Sequence, residues 1–136
     1  MQSNPHLTFP GTCEEAFKFY AEVTGGTIEV LTPHAGTPAE AHITKEWASK
    51  IIHGRLSIGG SLIMGADSPP ERYSAPQGFT LTLRTDTPEE AERVFAALSQ
   101  GGTVQMPMEP TFFAHRFGIV TDRYATPWMV LCEIKM

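Results

Sequence analysis

Apolar residues recur at helical spacing in two places, at Ala16, Phe19, Tyr20 and Val23 and again at Ala91, Val94, Phe95 and Leu98. Each set predicts an amphipathic helix with one stripe turned to a core. The two stretches open alike, on Gly11-Thr12 and on Asp86-Thr87-Pro88. Asp or Thr as cap, Pro in the first turn and two glutamates (Glu14-Glu15, Glu89-Glu90) all suit a helix N-terminus. Those glutamates read as exposed partners of the helix dipole, not as a carboxylate dyad. Both stretches close on Gly-Gly, at 25–26 and 101–102, where a left-handed residue stops a helix.

The flanks repeat as well, with one residue more in the second copy between Glu-Glu-Ala and Gly-Gly-Thr. Strand-like runs precede the helices at 7–9 and 79–83 and follow them at 27–31 and 103–106. Two further strands complete each copy. In the first they are 51–58 and 61–65, joined by the hairpin signal Gly59-Gly60. In the second they are 115–121 and 127–133, joined through Asp122 to Thr126. The longer connection 33–49 has a helical turn around Glu40 to Trp47. Each copy therefore reads β-α-β-β-β. One such unit has too little core to stand alone. The expected architecture is a single α+β domain, 1–136, of two tandem βαβββ modules. Residues 1–67 and 78–136 form the modules, and a Pro-rich linker, 68–77, joins them. Their curved mixed sheet would surround a cleft, the usual place for a ligand.

Composition narrows the function. The 136 residues are 41% hydrophobic and 18% charged, with a net charge of −5. That is a globular composition, and its scattered basic residues argue against a nucleic-acid partner. No apolar run approaches the length of a membrane span, and the N-terminus lacks a signal pattern, so a cytoplasmic protein is expected. Cys13 and Cys132 are then reduced thiols, and their spacing makes no zinc motif.

Four runs, in order along nearly the whole chain, resemble the PhnB-like branch of the glyoxalase/bleomycin-resistance/extradiol dioxygenase (vicinal oxygen chelate) superfamily. They are 9–16 with Phe19-Tyr20, 53–60, 101–107, and 117–124 with Pro127-Trp128. The resemblance implies a glyoxalase-like fold and a homodimer. The chain departs from the branch at Pro10 (usually Asn), Phe113 (usually Trp) and Ala125 (usually Gly). The last puts the final hairpin turn in question, since Gly there can take positive φ. Relatives often carry a 3-demethylubiquinone-9 3-methyltransferase label. The sequence gives it no support, because its Gly-Gly pairs follow helices or sit in a hairpin, not after a parallel strand.

By the same resemblance, metal-dependent members take His or Glu from the first and last strands of each module. Counted from Asp122, the last-strand carboxylate position falls on Met129, and the repeat makes Met64 its counterpart. Thioethers are poor ligands for hard divalent ions. The second module's first-strand His should lie within 77–80, where no His stands, and His6 is the one match in the first. No metal and no other cofactor is expected. Glu133 reads as a solvated residue near the end of the last strand.

Three residues are catalytic candidates: His53 and His115, at loosely equivalent strand starts, and Cys13, at a helix start where the dipole favours a thiolate. Against this, strand-end histidines are commonly satisfied by backbone or water, and Glu14 and Glu15 oppose a thiolate at Cys13. Arg55, Arg116 and Arg123 could bind an anion or simply keep the surface soluble. Met64, Phe79, Phe113, His115, Met129 and Leu131 are the ligand-binding candidates, with Leu62, Leu81 and Phe112 as further apolar wall. Trp128, by alternation with Met129, belongs under the helices. The first functional expectation is metal-independent binding of a small apolar or aromatic molecule. The alternatives are an enzyme of the same superfamily using cleft His or Cys residues, and, last, a metal-dependent lyase or dioxygenase.

Overall fold

A computed structural model describes residues 1–135. The chain divides within the linker into two compact units, Met1–Tyr73 and a second that starts at Ser74. The first unit contains β1 (His6–Phe9), α1 (Cys13–Thr24), β2 (Thr27–Pro33), β3 (Ile51–Ile58) and β4 (Ser61–Asp67). The second contains β5 (Leu81–Arg84), α2 (Pro88–Ser99), β6 (Thr103–Glu109), β7 (Ala114–Thr121) and β8 (Pro127–Glu133). Short 3-10 turns occupy Pro38–His42, Lys45–Trp47 and Pro70–Arg72. Each unit builds its own four-stranded sheet, in the orders β1-β4-β3-β2 and β5-β8-β7-β6. The pairs β1–β4 and β5–β8 are parallel and the rest antiparallel. This is the α+β, tandem βαβββ fold that the repeat predicts.

Strand register sets the equivalences between the copies. Met64 lies beside His6 on β1 and Arg55 on β3. Met129 lies beside Thr82 on β5 and Ile119 on β7. Met64 and Met129 are therefore counterparts, as the repeat implies. The first-strand partner of Met129 is Thr82, beyond the 77–80 window read from the sequence, because β5 starts at Leu81 and not at Phe79. The two histidines are not counterparts. Arg55 pairs with Met64 as Ile119 pairs with Met129, so the position equivalent to His53 is Phe117, and His115 lies two residues before it, in a bulge of β7.

The core of the first unit differs from the stripe expected for α1. Its buried residues are Cys13, Ala16, Phe17, Tyr20 and Val23, and Phe19 is only half-buried. The reason lies in the sheet. Gly54 and Gly65 face each other across β3 and β4, and Phe17 fills the space their missing side chains leave. A Cβ on Gly65 would come within 2.7 Å of the Phe17 ring. Burying that ring is worth about 2–3 kcal/mol. In the second unit Phe95 covers Gly118 in the same way, with Val130 opposite.

The helix ends explain the extra residue of the second copy. α1 stops on Gly25 at φ 77°, whose N–H donates to the Ala21 carbonyl at 2.9 Å. α2 runs into Gln100 in an extended conformation, and Gly101 takes the left-handed position at φ 74°.

Candidate functional site

Side chains alternate across each sheet, so the face turned away from its helix can be read from register. On the first sheet this face carries His6 and Thr8 on β1, Leu62, Met64 and Ala66 on β4, and His53, Arg55 and Ser57 on β3. Val30 and Thr32 of β2 lie opposite Arg55 and His53. It is a mixed, largely polar surface. Arg55 meets Glu29 at 3.4 Å, and His53 is half-buried beside Thr32.

The corresponding face of the second sheet is apolar at its centre. Met129 sits between Thr82 and Ile119, and Met106 of β6 lies opposite Ile119. The Thr82 hydroxyl lies 4.0 Å from the Met129 sulfur, the length of a weak hydrogen bond to a thioether. Leu131 lies between Arg84 and Phe117. Phe113 packs edge-on against Phe117, with ring centroids 5.3 Å apart. Four of the ligand-binding candidates thus have defined places: Met64 on the first sheet, and Phe113, Met129 and Leu131 on the second. Phe79 stands outside β5 and is 49% exposed. His115 is exposed at its bulge. Glu133 is exposed and meets Arg84 at 3.5 Å, in keeping with a solvated strand end.

The positions that the resemblance marked as metal-ligating hold His6 with Met64 on one sheet and Thr82 with Met129 on the other. Within each unit a thioether stands beside a single imidazole or hydroxyl, and neither pair fits a hard divalent ion. Among the described residues no three His, Cys, Asp or Glu side chains gather in a way that could hold a metal.

Cys13 is fully buried. Burial pushes its thiol up to about 12, with the Asp67 and Glu14 carboxylates adding to the rise. Burial and the two carboxylates thus favour the protonated thiol at neutral pH, and the side chain is packed in the core. Its neighbour Asp67, overlooked in the sequence, is the main polar group of this region. One carboxylate oxygen accepts the Gly11 and Cys13 N–H groups at 3.1 and 2.9 Å, and the other accepts the Ile51 N–H at 2.8 Å. Thr12, expected to help open the helix, makes no side-chain cap. A solvent-open depression of about 400 Å³ beside Asp67 is lined by Glu14, Glu15, Lys18, Ser49 and Lys50.

Two more buried polar residues were missed. Asp122 accepts the Tyr124 and Thr126 N–H groups at 2.8 and 3.0 Å and the Trp128 indole N–H at 2.8 Å. Trp128 lies in the core as expected, anchored by that bond. His34 donates from Nδ1 to the Lys50 carbonyl at 2.8 Å, the same oxygen that accepts its backbone N–H. This closes the neck of the 34–50 excursion. Both sites are structural, and neither has a local sequence signature beyond the polar residue itself. In the Asp122 turn, Ala125 adopts φ 70°. The turn therefore keeps the left-handed geometry that glycine would accept more cheaply.

Two βαβββ units with helices on one sheet face are the architecture of glyoxalase/bleomycin resistance/dioxygenase proteins. Solved structures so described, from Frankia and Burkholderia phytofirmans, share this fold at a TM-score of 0.64. More specifically, residues 2–131 match the family model described as 3-demethylubiquinone-9 3-methyltransferase, and the chain belongs to that PhnB-like family. It is 42% identical to protein PA1353 of Pseudomonas aeruginosa, with a TM-score of 0.88 and 98% of both chains covered. A Bacillus cereus PhnB protein is 24% identical, with a TM-score of 0.82, covering 97% of this chain and 99% of that one. Protein YjdN of Escherichia coli K12 is 33% identical over 138 residues, spanning 96% of this chain and 94% of that protein.

Proposed function

We propose that this protein binds a small apolar or aromatic molecule without the help of a metal, against the sheet face that carries Met129. The observation that carries the reading is the row Met129, Ile119 and Met106, with Leu131 and Phe117 beside it, on the face of the second sheet turned from α2. Thioether side chains are flexible and polarizable, and they adapt to ligands of irregular shape. The donor set at the family's metal positions supports the metal-free half of the reading.

The methyl transfer in the family description forms no part of it. A nucleotide-type methyl donor would need a glycine-rich turn opening onto free helix amides. After β1, the Gly11 and Cys13 amides are already taken by the Asp67 carboxylate. After β5, the turn is Thr85-Asp86-Thr87-Pro88 and contains no glycine.

The test is an NMR titration of protein labelled at its methionine methyl groups, with 2-naphthylmethanol as probe. Saturable shifts at the Met129 and Met106 methyls, lost in Met129→Glu, are the expected result. Unmoved methyls would overturn the reading. So would tight binding of one zinc, nickel, manganese or iron ion per chain in elemental analysis.

A further inference from the structure

The apolar face of the second sheet is not uniform, for it grades from aromatic to cationic. Phe112, 93% exposed, meets Phe113 edge to face with centroids 5.1 Å apart. Phe113 meets Phe117 in the same manner at 5.3 Å. Phe117 stands opposite Leu131, and Leu131 beside Arg84. Two strand spacings, roughly 9–10 Å, separate the backbones of Phe117 and Arg84, and the long arginine side chain shortens that gap.

Arg84 is lightly held. Its side chain is 75% exposed, and its Nη1 meets Glu133 at 3.5 Å across two solvated groups. A pair of this kind is worth little. The guanidinium fork matches a carboxylate with two parallel donors, which this long contact does not use. The other acidic residue on the face, Glu109, lies opposite Phe117 on β6, at the far edge of the sheet from β5.

We infer that the ligand class is a flat aromatic carboxylate, with its ring against Phe113 and Phe117, above the buried Leu131, and its carboxylate on Arg84. This rests on the binding reading above and narrows it. A ring gains edge-to-face partners beyond simple burial. An aliphatic acid would leave the aromatic end of the face unused, and a neutral aromatic would leave Arg84 to Glu133.

Three probes separate the possibilities: 2-naphthoate, 2-naphthylmethanol and 2-naphthylmethylamine, titrated calorimetrically into the full chain. The acid is expected to bind about fivefold more tightly than the alcohol, the size of an exposed charge pair. Arg84→Gln should remove that preference while leaving alcohol binding and the urea midpoint unchanged. Glu133→Gln should tighten naphthoate further. A preference for the amine or the alcohol, or an acid preference that survives Arg84→Gln, overturns the assignment of Arg84 but leaves the binding reading standing. No binding of any probe, with the Met129 methyl unmoved, overturns the binding reading itself.

Discussion

The two helices start at equivalent places and are secured by opposite means. α1 opens on Cys13, whose N–H needs an acceptor and finds one in Asp67, at the end of β4. α2 opens on Pro88, which has no N–H, and Thr87 caps it locally by accepting the Glu90 N–H at 3.1 Å. The register that pairs Met64 with Met129 pairs Asp67 with Cys132, which is buried. So where the helix supplies an amide, the strand supplies a carboxylate, and where proline removes the amide, the strand position becomes a small, weakly polar thiol. The hairpins differ in a parallel way. Gly59-Gly60 turns the first, with Gly59 at φ 57°, whereas Asp122 organises the five-residue turn of the second. Duplicated architecture here preserves element order and register, and lets the buried polar groups move.

Breaking this asymmetry should have graded effects. Asp67→Ala strands three buried or part-buried N–H groups and should cost about 3–4 kcal/mol in urea unfolding. Asp67→Asn should recover part of that loss, because one oxygen can still accept. Thr87→Ala, at the equivalent end of α2, should cost only about 1 kcal/mol. Asp122→Ala should fall between them, at about 2–3 kcal/mol, since it leaves the Trp128 indole N–H buried without its acceptor.

Cys13 sharpens the contrast through pH. Its folded thiol lies near 12 against an ordinary value of 9.0. The folded state therefore holds this proton more tightly than the unfolded chain does. The resulting stability is fully present below pH 9 and is lost as pH rises toward 12, at up to about 1.4 kcal/mol per pH unit. Urea midpoints measured across that window should fall more steeply for the native chain than for Cys13→Ala. The smallest effect is expected at the second hairpin. Ala125→Gly removes the cost of a left-handed alanine and should stabilise by about 0.5–1 kcal/mol, read as a higher urea midpoint.

Much of the fold was legible because repeats and periodicity are local signals. β3 and β8 have the bounds that hydrophobic runs and turn residues indicate, and the Met64–Met129 equivalence follows from counting along those strands. Phe17 was not legible, because helical spacing allows a stripe through Phe17 or through Phe19. The choice is made by two glycines that meet only when β3 pairs with β4. Asp67 and Asp122 escaped notice for the same reason. A buried carboxylate is identified by the amides around it, and those come from distant segments or from a turn whose shape the carboxylate itself sets. The His53–His115 equivalence failed because it matched the two strands by their starts, whereas counting back from the Met64 and Met129 pairings sets His53 against Phe117, two residues past His115.

The reach of Asp67 also has a consequence in time. It follows Cys13 by 54 residues, an interval of about 3–10 s at ordinary rates of ribosomal elongation. Through that interval the nascent first helix lacks the acceptor that completes its leading turn. The second helix carries its cap with it, and that cap can form as soon as Glu90 leaves the exit tunnel. The chain is thus synthesised with its earlier helix waiting on a later strand, and the leading turn of α1 is completed only after the last residue of β4, Asp67, is exposed.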